Sequence, residues 1–275
     1  MKPEKECFKC LREQALRSLK LASDEEKHIR EIKAKAESAI SASSPEDNPP
    51  LIATDIFLAV NKITDNPDPY LELKKKYNKI VRDEIKKIEI KDILSAIKHS
   101  INGNIIDFGI MEKVNLDVKD DFPLAVDDSG KFISSVKKSK KILFLCDNAG
   151  EIGFDRALID KILELNPELK ITVVVKKSPI INDATAEDAK YFEMDKICDI
   201  VSPSPLYVGT QLNLLDNKFR EMFWSADLVI SKGQANWESL EGVKHPGIFY
   251  LLRAKCRVVA GHLNVPLGSA VIKNG

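Results

Sequence analysis

At 275 residues the chain is long enough for two modest domains with cores of their own. Its 42 basic and 42 acidic residues cancel, so no general attraction to nucleic acid or to an anionic membrane is expected, while a local basic pocket is compatible with neutrality. No apolar run approaches the roughly 20 residues of a membrane helix, "MKPEKECFKC" lacks the apolar core of a signal peptide, and five cysteines are an odd number for a disulfide framework; a cytoplasmic protein is expected.

The first hundred residues read as helices. "CFKCLREQALRSLKLA" spaces Phe8, Leu11, Ala15, Leu19 and Ala22 by three and four, one apolar stripe. "SDEEKHIREIKAKAESAI" begins with Ser23 as N-cap and Glu26 at the capping-box spacing. "SSPEDNPP" breaks that helix, and further helices are expected over residues 51–63, 69–87 and 91–101. Residues 1–101 are therefore expected to form a helical bundle domain.

After "NGNIIDFG" short β-rich runs alternate with helical ones. The runs are "KILFLC", "KITVVV", "DIVSP", "DLVIS", "GIFYLL" and "CRVVA"; "FDRALIDKILELNP" and "DATAEDAKYFEM" are the clearest helices between them. Alternation of this kind predicts a sheet covered by helices, and continuous apolar strands predict burial on both faces. The expected fold is α/β, a three-layer, doubly wound, mostly parallel Rossmann-like sheet, with residues 102–275 as the metal-binding catalytic domain.

In such a sheet ligands bind outside the carboxyl ends of the strands. "KILFLC" ends in Asp147 and Asn148, the segment after "KITVVV" reaches Asn182 and Asp183, and "DLVIS" ends in Lys232, Gly233, Gln234 and Asn236. Carboxylates with an amide oxygen suit Mg²⁺ or a similar hard divalent ion, which makes Asp147, Asn148 and Asp183 the expected metal ligands. Lys232, followed by a glycine that permits close approach, suits a phosphate beside that metal. Glu151 opens the next helix, where free backbone N–H groups face an anion; it is either a first-turn acid favoured by the dipole or the group that positions an attacking water. Together these parts make a phosphomonoester site.

Each piece also has a plain structural explanation. An Asp after a buried strand often caps the following helix, "NDATAED" contains an ordinary capping pattern, and Lys232 fits a solvated turn. Coincidence at strand ends favours function. The glycines at 150 and 153 do not make a dinucleotide fingerprint, and no P-loop is present. An aspartyl-phosphate scheme would want a second Asp at the position of Ala149.

Cys7 and Cys10 form a C-x-x-C on one helix face, open to metal binding, a redox disulfide or simple burial, with Cys256, read as the start of a strand, as a third partner. No second C-x-x-C supports zinc. His245, beside Pro246, reads as a turn residue, and Trp237 as either a core or a pocket-lining one, with lining slightly favoured.

"CDNAGEIGFD", "INDATAED" and "SKGQANWESL", in that order, with "CFKC" and "GNIIDFG" before them, resemble the domain-of-unknown-function-89 family across nearly the whole chain. These are the damage-control phosphatases, and the N-terminal C-x-x-C is similar to the prokaryotic and archaeal branch. The resemblance implies a helical domain packed on a three-layer α/β domain. It also implies one divalent ion, Mg²⁺, Mn²⁺, Co²⁺ or Ni²⁺, held by Asp147, Asn148 and Asp183, with Lys232 and Gly233 on the phosphate and Asn104 and Asn236 among the substrate contacts. Glu151 fills a position that varies across branches. The implied partner is a small phosphorylated metabolite, a sugar phosphate or damaged phosphometabolite. Two other classes are a S-adenosylmethionine-dependent carboxyl methyltransferase, suggested by the history of eukaryotic relatives and weakened by the missing glycine-rich loop, and a non-enzymatic metal or redox module at Cys7 and Cys10.

Overall fold

The computed structural model describes residues 1–103 and 120–275. Five helices come first: α1 Lys5–Ala22, α2 Glu26–Ala42, α3 Pro49–Ile63, α4 Leu71–Ile85 and α5 Ile93–Asn102. Pro49 and Pro50 open α3 rather than end a helix, because the first turn needs no N–H partner, and the Asn48 side chain caps it by accepting from Leu51 N at 3.0 Å. At α2 the expected cap is displaced. Glu25 occupies the N-cap without a side-chain bond, while Ser23 closes α1 and its Oγ accepts from Glu25 N and pairs with His28 Nδ1 at 2.8 Å.

The sheet order is β1 Leu124–Asp127, β7 Ala270–Asn274, β6 Ile248–Arg253, β5 Leu228–Lys232, β2 Lys141–Leu145, β3 Lys170–Val174 and β4 Asp199–Val201. From β6 to β4 the strands run parallel; β7 lies antiparallel to β6, and β1 runs alongside β7. Mostly parallel strands with helices on both faces form the expected α/β architecture. The chain leaves β2 for β3 and β4 on one side and returns to β5 and β6 on the other, so the strand order reverses at β2. The crevice outside a switch point is where such sheets bind ligands.

Alternate residues of β2 feed two cores. Ile142 and Phe144 join α6 Ser129–Lys138 and α7 Glu151–Leu165 on one face; Leu143 and Leu145 join α9 Asn217–Ser225, α10 Gly233–Leu240 and α11 Arg257–Leu263 on the other. The remaining helix, α8 Ala186–Tyr191, carries the capping box that "NDATAED" announced, formed by Thr185 and Asp188. Helices α1 to α3 share a third core that meets Ile180 and Val208 near the carboxyl edge of the sheet. Tyr77 and Val81 of α4 and Ile97 and Ile101 of α5 belong instead to the core of the sheet.

Two sequence expectations are corrected. "CRVVA" is not a strand: Cys256 is the N-cap of α11, its Sγ accepting from Val259 N at 3.4 Å, and Val259, Ala260 and Leu263 pack against the sheet. A β-branched pair mimics a strand, but packing on one face decided for a helix. Trp237 is buried in the core under α10, edge-on to His262. His245 does sit in the turn before β6, buried, with its Nδ1 accepting from Gly247 N at 3.2 Å.

Candidate active site

Strand β2 pairs one residue beyond its regular end, Cys146 N donating to Val174 O at 3.1 Å, and the chain then leaves the sheet. Asp147 O accepts from Ala184 N at 2.9 Å and Ala149 N donates to Asn182 O at 2.9 Å, so Asn148 and Asp183 form a short antiparallel bridge. Main-chain bonds thus bring two distant segments together and place Asp147, Asn148 and Asp183 at one corner of the sheet.

The carboxylates here are buried and Asn148 is half-buried. Asp147 is 9 % exposed, Asp183 3 % and Glu151 0 %. Asn148 Nδ2 donates to Asp147 Oδ2 at 2.7 Å and to Glu151 Oε2 at 3.0 Å, while its Oδ1 accepts from Asn182 Nδ2 at 2.7 Å. Burial lifts the Asp183 carboxyl above its ordinary pKa, and the charges of Lys176 and Lys74 pull it back.

Lys232 is fully buried and its ammonium is spent on the protein. It donates to Glu151 Oε1 at 2.5 Å, Asp155 Oδ1 at 2.6 Å and Ser100 O at 3.0 Å, three acceptors for three N–H groups. The phosphate contact expected of Lys232 is therefore not present in this arrangement, because no N–H is left for it. Lys232 instead ties the end of β5 to α7 and α5. Asp155, which also accepts from Ser100 Oγ at 2.7 Å, is raised by burial to about 6 against the pull of Lys232.

Gly233 has a steric reason to be glycine. Its φ is +77°, and a Cβ there would lie 1.9 Å from Asp147 Oδ2 and 2.1 Å from its Cγ, so Asp147 is seated in the space a side chain would fill. Gly233→Ala should cost about 2–5 kcal/mol, combining left-handed strain with overpacking, and should displace Asp147. Urea titration beside a metal-binding isotherm measures both effects; unchanged values for each would show that Asp147 does not need that space.

Asn236 is also engaged, accepting from Thr210 Oγ1 at 2.8 Å and donating to Cys146 O at 3.0 Å and Lys232 O at 2.8 Å. It lines a shallow recess with Cys146, Lys176, Leu206, Tyr207 and Thr210. Lys176 donates to Gly209 O at 2.6 Å and Tyr207 O at 2.8 Å, and its Nζ lies 3.4 Å from Asp183 Oδ2. Asn104 lies outside the described residues.

Hard oxygen donors at this corner suit a hard divalent cation. Asp147, Glu151, Asp155 and Asp183 are four buried carboxylates close to one another, with Lys232 paired to Glu151 and Asp155 and Lys176 to Asp183. The third expected ligand is an amide, and among the described residues no three or more His, Cys, Asp and Glu side chains converge as a metal group. Asn148 presents its nitrogen to the carboxylates here and its oxygen to Asn182.

The cysteines are all free. Cys10 Sγ accepts from Gln14 Nε2 at 3.0 Å, and Cys256 Sγ from Gln234 Nε2 at 3.6 Å. Burial raises the Cys7 thiol, with Glu238 and Cys256 near enough to add to the rise, yet these groups make no three-residue metal set among the described residues.

The sequence reading passed over Asp155, Lys176 and Asn78. Asp155 had a signal, standing four residues after Glu151 on one face of α7, and Lys176 follows β3 directly. Asn78 had none: it lies on α4, accepts from Gly150 N at 2.7 Å and donates to Asp188 Oδ1 at 2.7 Å.

A switch-point corner of this composition, covered by an N-terminal helical region, defines a family, and the chain belongs to it: the Damage-control phosphatase ARMT1-like domain matches residues 4–271. A damage-control phosphatase of Pyrococcus horikoshii is 36 % identical over 98 % of this chain and 97 % of its own. A protein of Archaeoglobus fulgidus with the same name is 34 % identical over 97 % of each. The crystal structure of a duf89 family protein from Pyrococcus horikoshii superposes with a TM-score of 0.92 at 34 % identity, covering 98 % of both chains. No helix among the described residues is long and apolar enough to cross a membrane.

Proposed function

We propose that the chain is a metal-dependent phosphomonoester hydrolase that acts on small phosphorylated metabolites, sugar phosphates or damaged phosphometabolites. Its relatives carry the name damage-control phosphatase over nearly their full length. The observation that carries the reading is the meeting of Asp147, Asn148 and Asp183 at the strand-order reversal. Residues 102–275 are the metal-binding catalytic domain in this reading, and residues 1–101 the helical part beside it. Five free cysteines agree with a cytoplasmic setting.

Asp147, Asn148 and Asp183 would hold Mg²⁺, Mn²⁺, Co²⁺ or Ni²⁺. Such an ion supplies Lewis-acid stabilisation of charge developing on the phosphoryl group. Glu151 orients Asn148 through Oε2 and fixes Lys232 through Oε1. Gly233 and Asn236 keep the end of β5 close to Asp147, and Asn104 is proposed as a substrate contact. Burial of the whole corner strengthens each electrostatic interaction within it.

A panel of phosphorylated metabolites incubated with each of the four ions tests the reading. Phosphate release from at least one small phosphomonoester, abolished by chelator, is expected. Release that survives chelation removes the metal from the scheme, and silence across the panel removes the phosphatase.

A further inference from the structure

We propose that Lys74, on helix α4 of the helical half, is the cation that binds the phosphate group of the substrate. This rests on the phosphatase reading above and supplies what that reading lacks once Lys232 is committed to Glu151 and Asp155.

The buried stripe of α4 consists of Lys74, Tyr77, Asn78 and Val81, the spacing of one helix face. A lysine on such a face is unusual, since an ammonium group rarely gives up water without a partner or a ligand. Lys74 is 4 % exposed, and its Nζ meets one carboxylate among the described residues, Asp68 Oδ2 at 2.6 Å. One oxygen answers one of three N–H groups. The other buried lysines near the site are full: Lys232 has three protein acceptors, and Lys176 has two carbonyls and Asp183.

The same stripe is anchored at the site. Asn78, one turn beyond Lys74, accepts from Gly150 N at 2.7 Å, and Tyr77 packs so closely on Gly150 that a Cβ there would lie 3.2 Å from Tyr77 Cβ. Gly150 is the N-cap of α7, whose opening turn carries Glu151. An anion held by the metal corner would thus find an ammonium with spare N–H groups on the α4 side. Asp68 holds that ammonium in place and is itself braced, its Oδ1 accepting from Tyr70 N at 3.2 Å.

Inorganic phosphate binding to the full chain with saturating Mn²⁺, followed by calorimetry, tests this. Lys74→Met should weaken phosphate roughly tenfold or more, the worth of one charge-assisted hydrogen bond, and leave Mn²⁺ affinity within about threefold. Asp68→Asn, which releases the ammonium from its competing carboxylate, should bind phosphate at least as tightly as the parent. A lysine that merely pins α4 gives a different pattern: equal thermal destabilisation in both variants with phosphate affinity unchanged in Lys74→Met, or lost in Asp68→Asn, and either result overturns the assignment. If Lys74→Met does not fold, Asp68→Asn alone decides. A parent protein that binds Mn²⁺ but no phosphate overturns the phosphatase reading itself, whatever the variants do.

Discussion

Replacing Asp147 with alanine should remove divalent-ion binding and phosphomonoester turnover together, with activity falling by about three orders of magnitude or more and the fold intact. Loss of that size is expected when the group holding a catalytic ion disappears, because the stabilisation of developing phosphoryl charge goes with it. The fold should survive since the main-chain bond that Asp147 makes, its carbonyl accepting from Ala184 N, is kept by alanine. Removing the carboxylate also lifts one charge from a crowded acidic corner and leaves open the space beside Gly233. Circular dichroism, a calorimetric metal titration and phosphate release, measured on one preparation, separate these effects. Undiminished turnover in the variant would sink the assignment, and retained metal binding with lost turnover would move the ion away from Asp147.

Lys232→Met is expected to be the most destabilising single change near the site, costing about 3–5 kcal/mol, because it strips the counter-charge from two buried carboxylates. Glu151 and Asp155 would face each other across the vacated ammonium position, and Asp155 Oδ2 already has no hydrogen-bond partner among the described residues. The effect should depend on pH. In the parent, burial outweighs the pull of Lys232 and raises Asp155 from 3.8 to about 6, so the native state holds a proton that the unfolded chain releases. This group therefore contributes most to stability below about pH 4, and the contribution fades as pH rises through 6. Without Lys232 the carboxyl rises further, and the deficit of the variant should be smaller near pH 5.5 than near pH 8. Urea unfolding at the two pH values measures it. Equal deficits would mean that Asp155 is not the group left exposed to the loss.

The acids and amides proposed as metal ligands were legible in the sequence as residues at or after strand ends. Asp147 and Asn148 stand just past the end of β2, at the carboxyl edge of the sheet, whereas Asp183 lies in the longer segment after β3 and reaches them through the bridge with Asn148. Helices α1 to α5 were legible from stripes at three and four residues. The partners of Lys232 were not legible because they lie on α7 and α5, and only the pairing of β5 with β2 brings Asp155 beneath it. Helix α11 was taken for a strand since Val258 and Val259 favour either state and the choice was made by packing against the sheet. The four-residue β1 and the reversed β7 were not read as strands, and their place at the edge depends on β7 pairing with β6 and β1 with β7.

By itself the sequence determined the class of fold, the order of helical and mixed halves, and which acids and amides stand at strand ends, since each depends on periodicity within a few turns or on the residue after a strand. Tertiary structure alone decided which charges meet. It turned Lys232 inward onto Glu151 and Asp155, joined Asn148 to Asp183, and laid the Lys74 face of α4 over Gly150. Coulomb energy and desolvation depend on distance and burial, and neither exists until remote segments have packed.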